Sequence, residues 1–122
     1  MRVENLNEVE PFTTLDGSTI REVAGPAIES AGNQSLAEAS VPPGGATTEH
    51  YHRTTEEIYF FTHGAGRMRL AEEERDVGPG DTVVIPPGAR HKVWNTGAEP
   101  LRLLCCCAPA YSDEDTVLTE DA

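Results

Sequence analysis

Glycine and proline interrupt this sequence so often that no long helix fits between them. The 122 residues include 11 glycines and 9 prolines, many of them grouped into turn-forming runs such as 42–45, 78–80 and 86–88. The segments between these runs are short and lack the 3.6-residue apolar period of an amphipathic helix. This pattern predicts an all-β protein in which many short strands form a sandwich or barrel.

Eight segments have the composition expected of strands, and a charged hairpin tip follows the fifth. The predicted strands cover residues 19–23, 34–41, 49–52, 57–62, 67–70, 82–85, 91–95 and 101–107, with the tip at 71–74. We expect residues 1–122 to form a single domain, since this length suits one domain of ordinary size. Its barrel core is expected over about 19–108, followed by an acidic tail at 109–122 that packs loosely or joins another subunit.

The chain is strongly acidic, with 21 Asp and Glu against 9 Lys and Arg and a formal net charge of −12. A surface of that charge repels phosphate backbones, so we expect no nucleic-acid partner. No apolar run approaches the roughly 20 residues of a membrane span, so no membrane partner is expected either. Lys92 is the only lysine, a bias that suits a salt-rich environment and equally a GC-rich genome.

The three cysteines are consecutive, at Cys105, Cys106 and Cys107. Adjacent strand residues point to opposite faces, so the triplet cannot form an ordinary disulfide framework. We interpret the three as small apolar strand residues, with a reactive thiol near a metal as the alternative. Because the polar start of the chain does not resemble a signal peptide, we expect a reducing, cytoplasmic location.

Three of the four histidines fall where strands could present them to one interior. His50 and His52 are two residues apart and therefore share one face of a strand. Glu56 or Glu57 opens the next strand, and His91 opens a later one. Two surface histidines would explain the pair alone, but the concentration of imidazoles favours a site for one divalent cation.

The spacing of these residues resembles the two sequence motifs of the cupin superfamily. In the first motif five, one, four and six residues separate Gly44, His50, His52, Glu57 and Gly64. In the second motif five, one, two and three residues separate Gly80, Pro86, Gly88, His91 and Asn95. The resemblance covers roughly residues 34–107.

This resemblance implies a jelly-roll β-barrel with a divalent metal near its centre. Its Glu-to-Gly spacing selects Glu57, so the implied ligands are His50, His52, Glu57 and His91. Three imidazoles and a carboxylate suit one divalent transition metal, which could be Fe, Mn, Ni, Cu or Zn. A single fold hosts many chemistries, so the resemblance predicts the fold far better than the activity.

Tyr59 is the one catalytic candidate besides these ligands. On a regular strand it shares a face with Glu57 and Phe61, so both aromatic residues are expected to line the cavity. An aromatic wall is the competing interpretation of Tyr59. Arg21 could clamp a substrate carboxylate, although an ordinary surface ion pair explains it as well.

Three further residues are interpreted as structural. Asn95 is expected to make structural hydrogen bonds. Trp94 is expected on the opposite strand face from His91, in core or subunit packing. His63, the fourth histidine, lies at a predicted turn outside the site.

These observations favour a metalloenzyme that acts on a small organic substrate. With Fe or Mn it would be a dioxygenase, and with Zn or Ni an isomerase or lyase. The alternatives are a non-catalytic module that binds a sugar or an organic acid, and a barrel that binds metal incidentally. We also expect a homodimer, because the early strand at 19–23 would offer an open edge to a second copy.

Overall fold

Alternating buried and exposed side chains arrange this chain into two antiparallel sheets. The computed structural model describes residues 1–120. Its strands are β1 (Phe12–Thr13), β2 (Thr19–Ala24), β3 (Ser35–Val41), β4 (His50–His52), β5 (Glu56–His63), β6 (Gly66–Leu70), β7 (Glu73–Val77), β8 (Thr82–Ile85), β9 (His91–Asn95), β10 (Leu101–Ala108) and β11 (Thr116–Leu118). One sheet has the order β1-β2-β3-β10-β5-β8, and the other has the order β11-β4-β9-β6-β7.

The two sheets enclose one apolar core, as the prediction of an all-β jelly roll requires. Both sheets contribute to it, the six-stranded one chiefly through β3, β5 and β10 and the five-stranded one through β6, β7 and β9. The largest fully buried apolar side chains are Phe61, Ile85, Leu101, Val41 and Val93. Among residues 1–120 the only helical element is a short 3₁₀ helix at Pro26–Ile28, so the all-β prediction is confirmed.

Strand β10 is the centre of the six-stranded sheet and carries the cysteine triplet. It pairs with β3 on one side and with β5 on the other. Cys105 and Cys107 are buried and Cys106 is exposed, as the period of a strand predicts. All three are free thiols.

Three strands were not predicted from the sequence. β1 covers only the Thr19–Ile20 end of β2, and β11 pairs with β4, which brings residues 116–118 of the acidic tail into a sheet. β7 begins at Glu73, so the hairpin tip is shorter than the predicted 71–74. β7 shows no apolar alternation because four of its five residues are exposed and charged.

Gly64 shows why the turn after β5 needs a glycine. Its φ is +89°, a conformation that costs other residues strain. A Cβ at this position would also lie 2.8 Å from the carbonyl oxygen of Pro100, inside van der Waals contact. The turn can therefore pack against the start of β10 only without a side chain.

None of the helices in the described part of the chain has the length and apolar character that a membrane crossing requires.

Candidate metal centre

Strands from both sheets bring the four implied ligands together. His50 and His52 project from the same face of β4, and His91 opens the neighbouring strand β9 opposite His50. Glu57 comes from β5 in the facing sheet. One potential ligand atom from each residue lies within 4.8 Å of the others, and all four residues are buried. Glu56, the rival carboxylate, is exposed on the other face of β5.

The turn before β9 is tied directly to the histidine strand. The backbone N–H of Gly88 donates a hydrogen bond of 2.7 Å to the carbonyl of His52. Gly88 has a φ of +84°, which favours glycine. The turn that leads to His91 is thereby held against β4, so the third imidazole is brought beside the first two.

Each imidazole is oriented through its Nδ1 atom. His50 Nδ1 lies 2.7 Å from the carbonyl of Thr48, and His91 Nδ1 lies 3.0 Å from the carbonyl of Ala89. A carbonyl only accepts, so both Nδ1 atoms carry the proton. In the neutral form of each ring, Nε2 therefore presents a lone pair, which is the arrangement of histidines that ligate metals.

His52 is oriented in the same way, but by a side chain. Its Nδ1 lies 3.0 Å from Thr116 Oγ1. The Thr116 hydroxyl donates its own proton to the carbonyl of Ser112 over 2.9 Å, so it accepts from His52. Strand β11 thus supplies a contact to the site that could not be predicted from the sequence.

Glu57 lies against the free nitrogens of two imidazoles. Its Oε1 is 3.1 Å from His52 Nε2 and 3.4 Å from His91 Nε2. Burial opposes ionisation of the Glu57 carboxyl, but when the facing Nε2 atoms carry protons, hydrogen bonds and charge from His52 and His91 outweigh burial and hold the Glu57 pKa well below the usual range. An anionic oxygen facing nitrogen lone pairs is stable only if a proton or a metal cation lies between them.

The other oxygen of Glu57 is held by a thiol. Cys107 donates its S–H to Glu57 Oε2 over 3.1 Å. Burial, followed by the nearby Glu57 charge, raises the pKa of Cys107 well above its usual value. Cys107 therefore acts here as a neutral donor that orients the carboxylate.

One nitrogen of the cluster makes no hydrogen bond of acceptable geometry, although Glu57 Oε1 lies 3.4 Å away. His91 Nε2 is buried and makes no hydrogen bond within the described residues. The pKa of His50 is lowered, first by burial and then by the neighbouring His91, so His50 favours the neutral form. An unpaired buried nitrogen in a set of three imidazoles and one carboxylate fits a divalent transition metal.

A cavity between the sheets opens onto this cluster. Its lining includes His50, His52 and Glu57, with small apolar side chains such as Ala37 and Ala39 on another wall. The catalytic candidate Tyr59 also lines the cavity, and its ring centroid lies 5.7 Å from that of His91. Burial raises the pKa of Tyr59 well above its usual value, so its hydroxyl stays protonated.

Asp16 is a cavity residue that the sequence analysis did not identify. Its Oδ1 accepts hydrogen bonds from the hydroxyls of Thr14 and Ser18 and from the backbone N–H of Ser18. Its Oδ2 lies 3.9 Å from His50 Nε2. The Asp-Gly-Ser run signals a turn, and only the tertiary structure shows that this turn faces the site.

The remaining candidates lie away from the cluster. His63 is exposed and pairs with Glu99, and Arg21 is absent from the cavity lining. Phe61 was expected in the lining but instead packs fully buried in the apolar core.

Trp94 lies in β9 on the opposite face from His91, as predicted, but it is half-buried and outside the apolar core, whereas Asn95 is buried on the face of His91. The Asn95 amide donates to the carbonyls of Val41 and Glu99 and accepts from Gly97 N–H, a structural role. Trp94 lies on the outer face of β9, where the charged ends of Arg69 and Lys92 lie over its ring.

Comparison with known proteins identifies the wider group to which this arrangement belongs. Residues 37–107 match the cupin domain family. The uncharacterised protein MJ1618 of Methanocaldococcus jannaschii is 48% identical over 114 residues, which are 93% of this chain and 91% of that protein.

Solved structures show the same fold. Oxalate decarboxylase of Lactobacillus farciminis, in a formate complex, has a TM-score of 0.78 at 25% identity, over 94% of this chain and 35% of that one. Pac13, a nucleoside dehydratase from Streptomyces, has a TM-score of 0.78 at 18% identity, over 98% of this chain and 91% of that one.

Proposed function

The chain belongs to the cupin superfamily, and on that premise we propose that it is a metalloenzyme acting on a small organic substrate. The observation that carries this proposal is the convergence of three Nδ1-anchored imidazoles and one carboxylate beside a cavity. Burying these polar side chains from three strands together costs free energy unless they gain binding partners. A bound cation would be such a partner and would offset this cost.

His50, His52, Glu57 and His91 would hold the metal, through the three Nε2 atoms and a carboxylate oxygen. Nitrogen and oxygen ligands of this kind accept Fe, Mn, Ni, Cu or Zn. When bound, such a metal polarises a substrate oxygen or activates a small co-substrate. This ligand set is compatible with a dioxygenase and equally with an isomerase or lyase.

The oxalate decarboxylase with the same fold shows that another protein of this fold is a lyase. That enzyme is a decarboxylase by name, and its sequence is 25% identical to this chain over the aligned region. Fold similarity alone does not transfer an activity. The proposal for this chain therefore rests on its own cluster and cavity.

Tyr59 is proposed as a hydrogen-bond donor to the substrate. It is buried, it lines the cavity and its raised pKa keeps the hydroxyl protonated. A protonated phenol can donate to a substrate oxygen but cannot act as a base near neutral pH. Tyr59→Phe is expected to weaken substrate binding or turnover while leaving metal content unchanged.

The proposed activity is tested by reconstituting the metal-free protein separately with Fe, Mn, Ni, Cu and Zn. Each form is screened against small organic compounds with an oxygen electrode and with mass spectrometry of the products. We expect turnover that requires one of these metals, that is lost in Glu57→Gln and that persists in the exposed control Glu56→Gln. Saturable ligand binding without turnover in every metal form would contradict the proposed enzyme activity and favour a non-catalytic binding module.

The strand edge predicted for dimerisation, at 19–23, is covered by β1 at Thr19 and Ile20. We further propose that the protein forms a homodimer through the outer face of the six-stranded sheet. Leu36, Cys106, Ile58 and Val84 lie side by side across β3, β10, β5 and β8 on that face. Phe60 is 41% exposed and Val84 is 55% exposed. A row of apolar residues on an outer face favours contact with a second copy. Light scattering that gives a monomer at micromolar concentration would contradict this proposal.

Cytoplasmic location remains a prediction, supported by the three free thiols.

A further inference from the structure

The cavity beside the proposed metal centre is negatively charged. Three carboxyl groups line it, those of Asp16, Glu22 and Glu57. No lysine or arginine is present among the described residues of the lining. A divalent cation would offset two of the three negative charges, so the cavity would still not be positive.

Most basic residues of the protein form ion pairs outside the cavity. Arg67 of β6 binds Glu74 and Asp76 of β7, and Arg69 of β6 binds Glu49, which directly precedes β4. Other basic side chains form similar pairs: Arg102 with Glu38, Lys92 with Glu120 and Arg90 with Glu72. These guanidinium and ammonium groups therefore do not supply a carboxylate or phosphate clamp inside the cavity.

Two of the cavity carboxylates retain free acceptor capacity. Asp16 uses Oδ1 for its turn, whereas its Oδ2 faces the imidazole of His50. Burial raises the pKa of Glu22, although its carboxylate also accepts hydrogen bonds from the backbone N–H groups of Ala27 and Ile28. Its Oε2 is nevertheless buried without a partner. Acceptors of this kind pair with hydroxyl, amide or amine donors.

From this charge pattern we infer that the natural ligand is a neutral or cationic small molecule that carries hydroxyl, amide or amine donors. The inference rests on the proposed function and narrows its substrate class. Free carboxylates and phosphates meet like charges without a counter-cation other than the metal, which weakens their binding. The apolar wall that includes Ala37, Ala39 and Leu103 accommodates a carbon skeleton on the other side.

Glycolate and glycolamide form a matched pair of probes, because they share size and hydroxyl group and differ in charge. Each is titrated by calorimetry into protein loaded with one equivalent of Co²⁺. We expect glycolamide to bind at least as tightly as glycolate. Asp16→Asn and Glu22→Gln should each tighten glycolate binding by about fivefold or more, with glycolamide changed by less than about twofold.

Glu56→Gln is the matched control, since it removes one carboxylate from the exposed face of the same sheet. It should change neither affinity. The inference would be overturned if the wild type bound glycolate more tightly than glycolamide. It would also be overturned if neither Asp16→Asn nor Glu22→Gln changed the affinity for glycolate. Failure of the protein to take up Co²⁺ would instead refute the proposed metal centre.

Discussion

Single side-chain contacts determine which nitrogen of each histidine faces the site. Two of the Nδ1 atoms are fixed by backbone carbonyls, at Thr48 and Ala89. The third depends on the Thr116 hydroxyl, which is itself fixed by the carbonyl of Ser112. Partners of this kind commonly tune the affinity of a ligand for its metal.

Thr116→Val removes the acceptor of His52 and keeps the shape of the side chain. We expect the affinity for the bound metal to fall by about tenfold, because His52 loses the contact that fixes its ring and tautomer. Competition titration against a metal-binding dye measures the change. Thr62→Val removes an exposed hydroxyl bonded to the carbonyl of Arg102 and serves as the control. Equal affinities for wild type and Thr116→Val would show that this contact does not support the site.

At the level of elements, the connection between β4 and β5 is held by the segment before β11. The Asp115 carboxylate accepts hydrogen bonds from the backbone N–H groups of Thr54 and Thr55 and from the Thr54 hydroxyl. The backbone N–H of Arg53 bonds the carbonyl of Asp115. This connection joins the strand of His52 to the strand of Glu57, so Asp115 indirectly positions both.

The pKa of Asp115 gives this contact a pH dependence. Burial opposes its ionisation, but the hydrogen bonds from Thr54 and Thr55 outweigh it and lower the pKa. A lowered pKa stabilises the fold above the unfolded pKa of about 4, and this contribution is lost as pH falls through the lower folded value.

Asp115→Asn should therefore lower the free energy of unfolding by about 1–2 kcal/mol at pH 7. Urea titrations at pH 7 and at pH 3 measure the effect, and the difference between variant and wild type should shrink at pH 3. Asp113→Asn, which affects a carboxylate bonded to the Tyr111 hydroxyl, is the matched control. If the difference in free energy of unfolding between wild type and Asp115→Asn stays constant or grows toward low pH, the stabilising role assigned to the ionised Asp115 is wrong.

The strands that the sequence predicts are those whose side chains alternate between core and solvent. β5 alternates along most of its length, with Glu57, Tyr59 and Phe61 buried, and its prediction was correct to within one residue. Four of the five residues of β7 are charged, and β1 is only two residues long. Neither strand therefore shows the alternation of apolar and polar residues by which a strand is predicted. β11 belongs to a sheet because β4 lies beside it, which is tertiary information.

At the scale of the whole molecule, the site exists because two sheets meet. The resemblance of their spacing to the cupin motifs implied the four ligand residues, and one potential ligand atom of each lies within 4.8 Å of the others in the structure. Asp16, Glu22 and Thr116 could not be named, since they reach the site across long stretches of chain. A metal held by both sheets should also stabilise the fold, because its ligands converge only in the folded state.

The most direct measurement is metal stoichiometry and affinity, by elemental analysis and by competition titration of chelator-treated protein. The predicted result is one divalent transition metal per chain, bound more tightly than about micromolar. His91→Ala should lower both metal content and melting temperature, whereas His63→Ala, at an exposed histidine outside the cluster, should change neither. Binding no tighter than micromolar for Fe, Mn, Ni, Cu and Zn alike, or equal losses in the two variants, would contradict the metal centre.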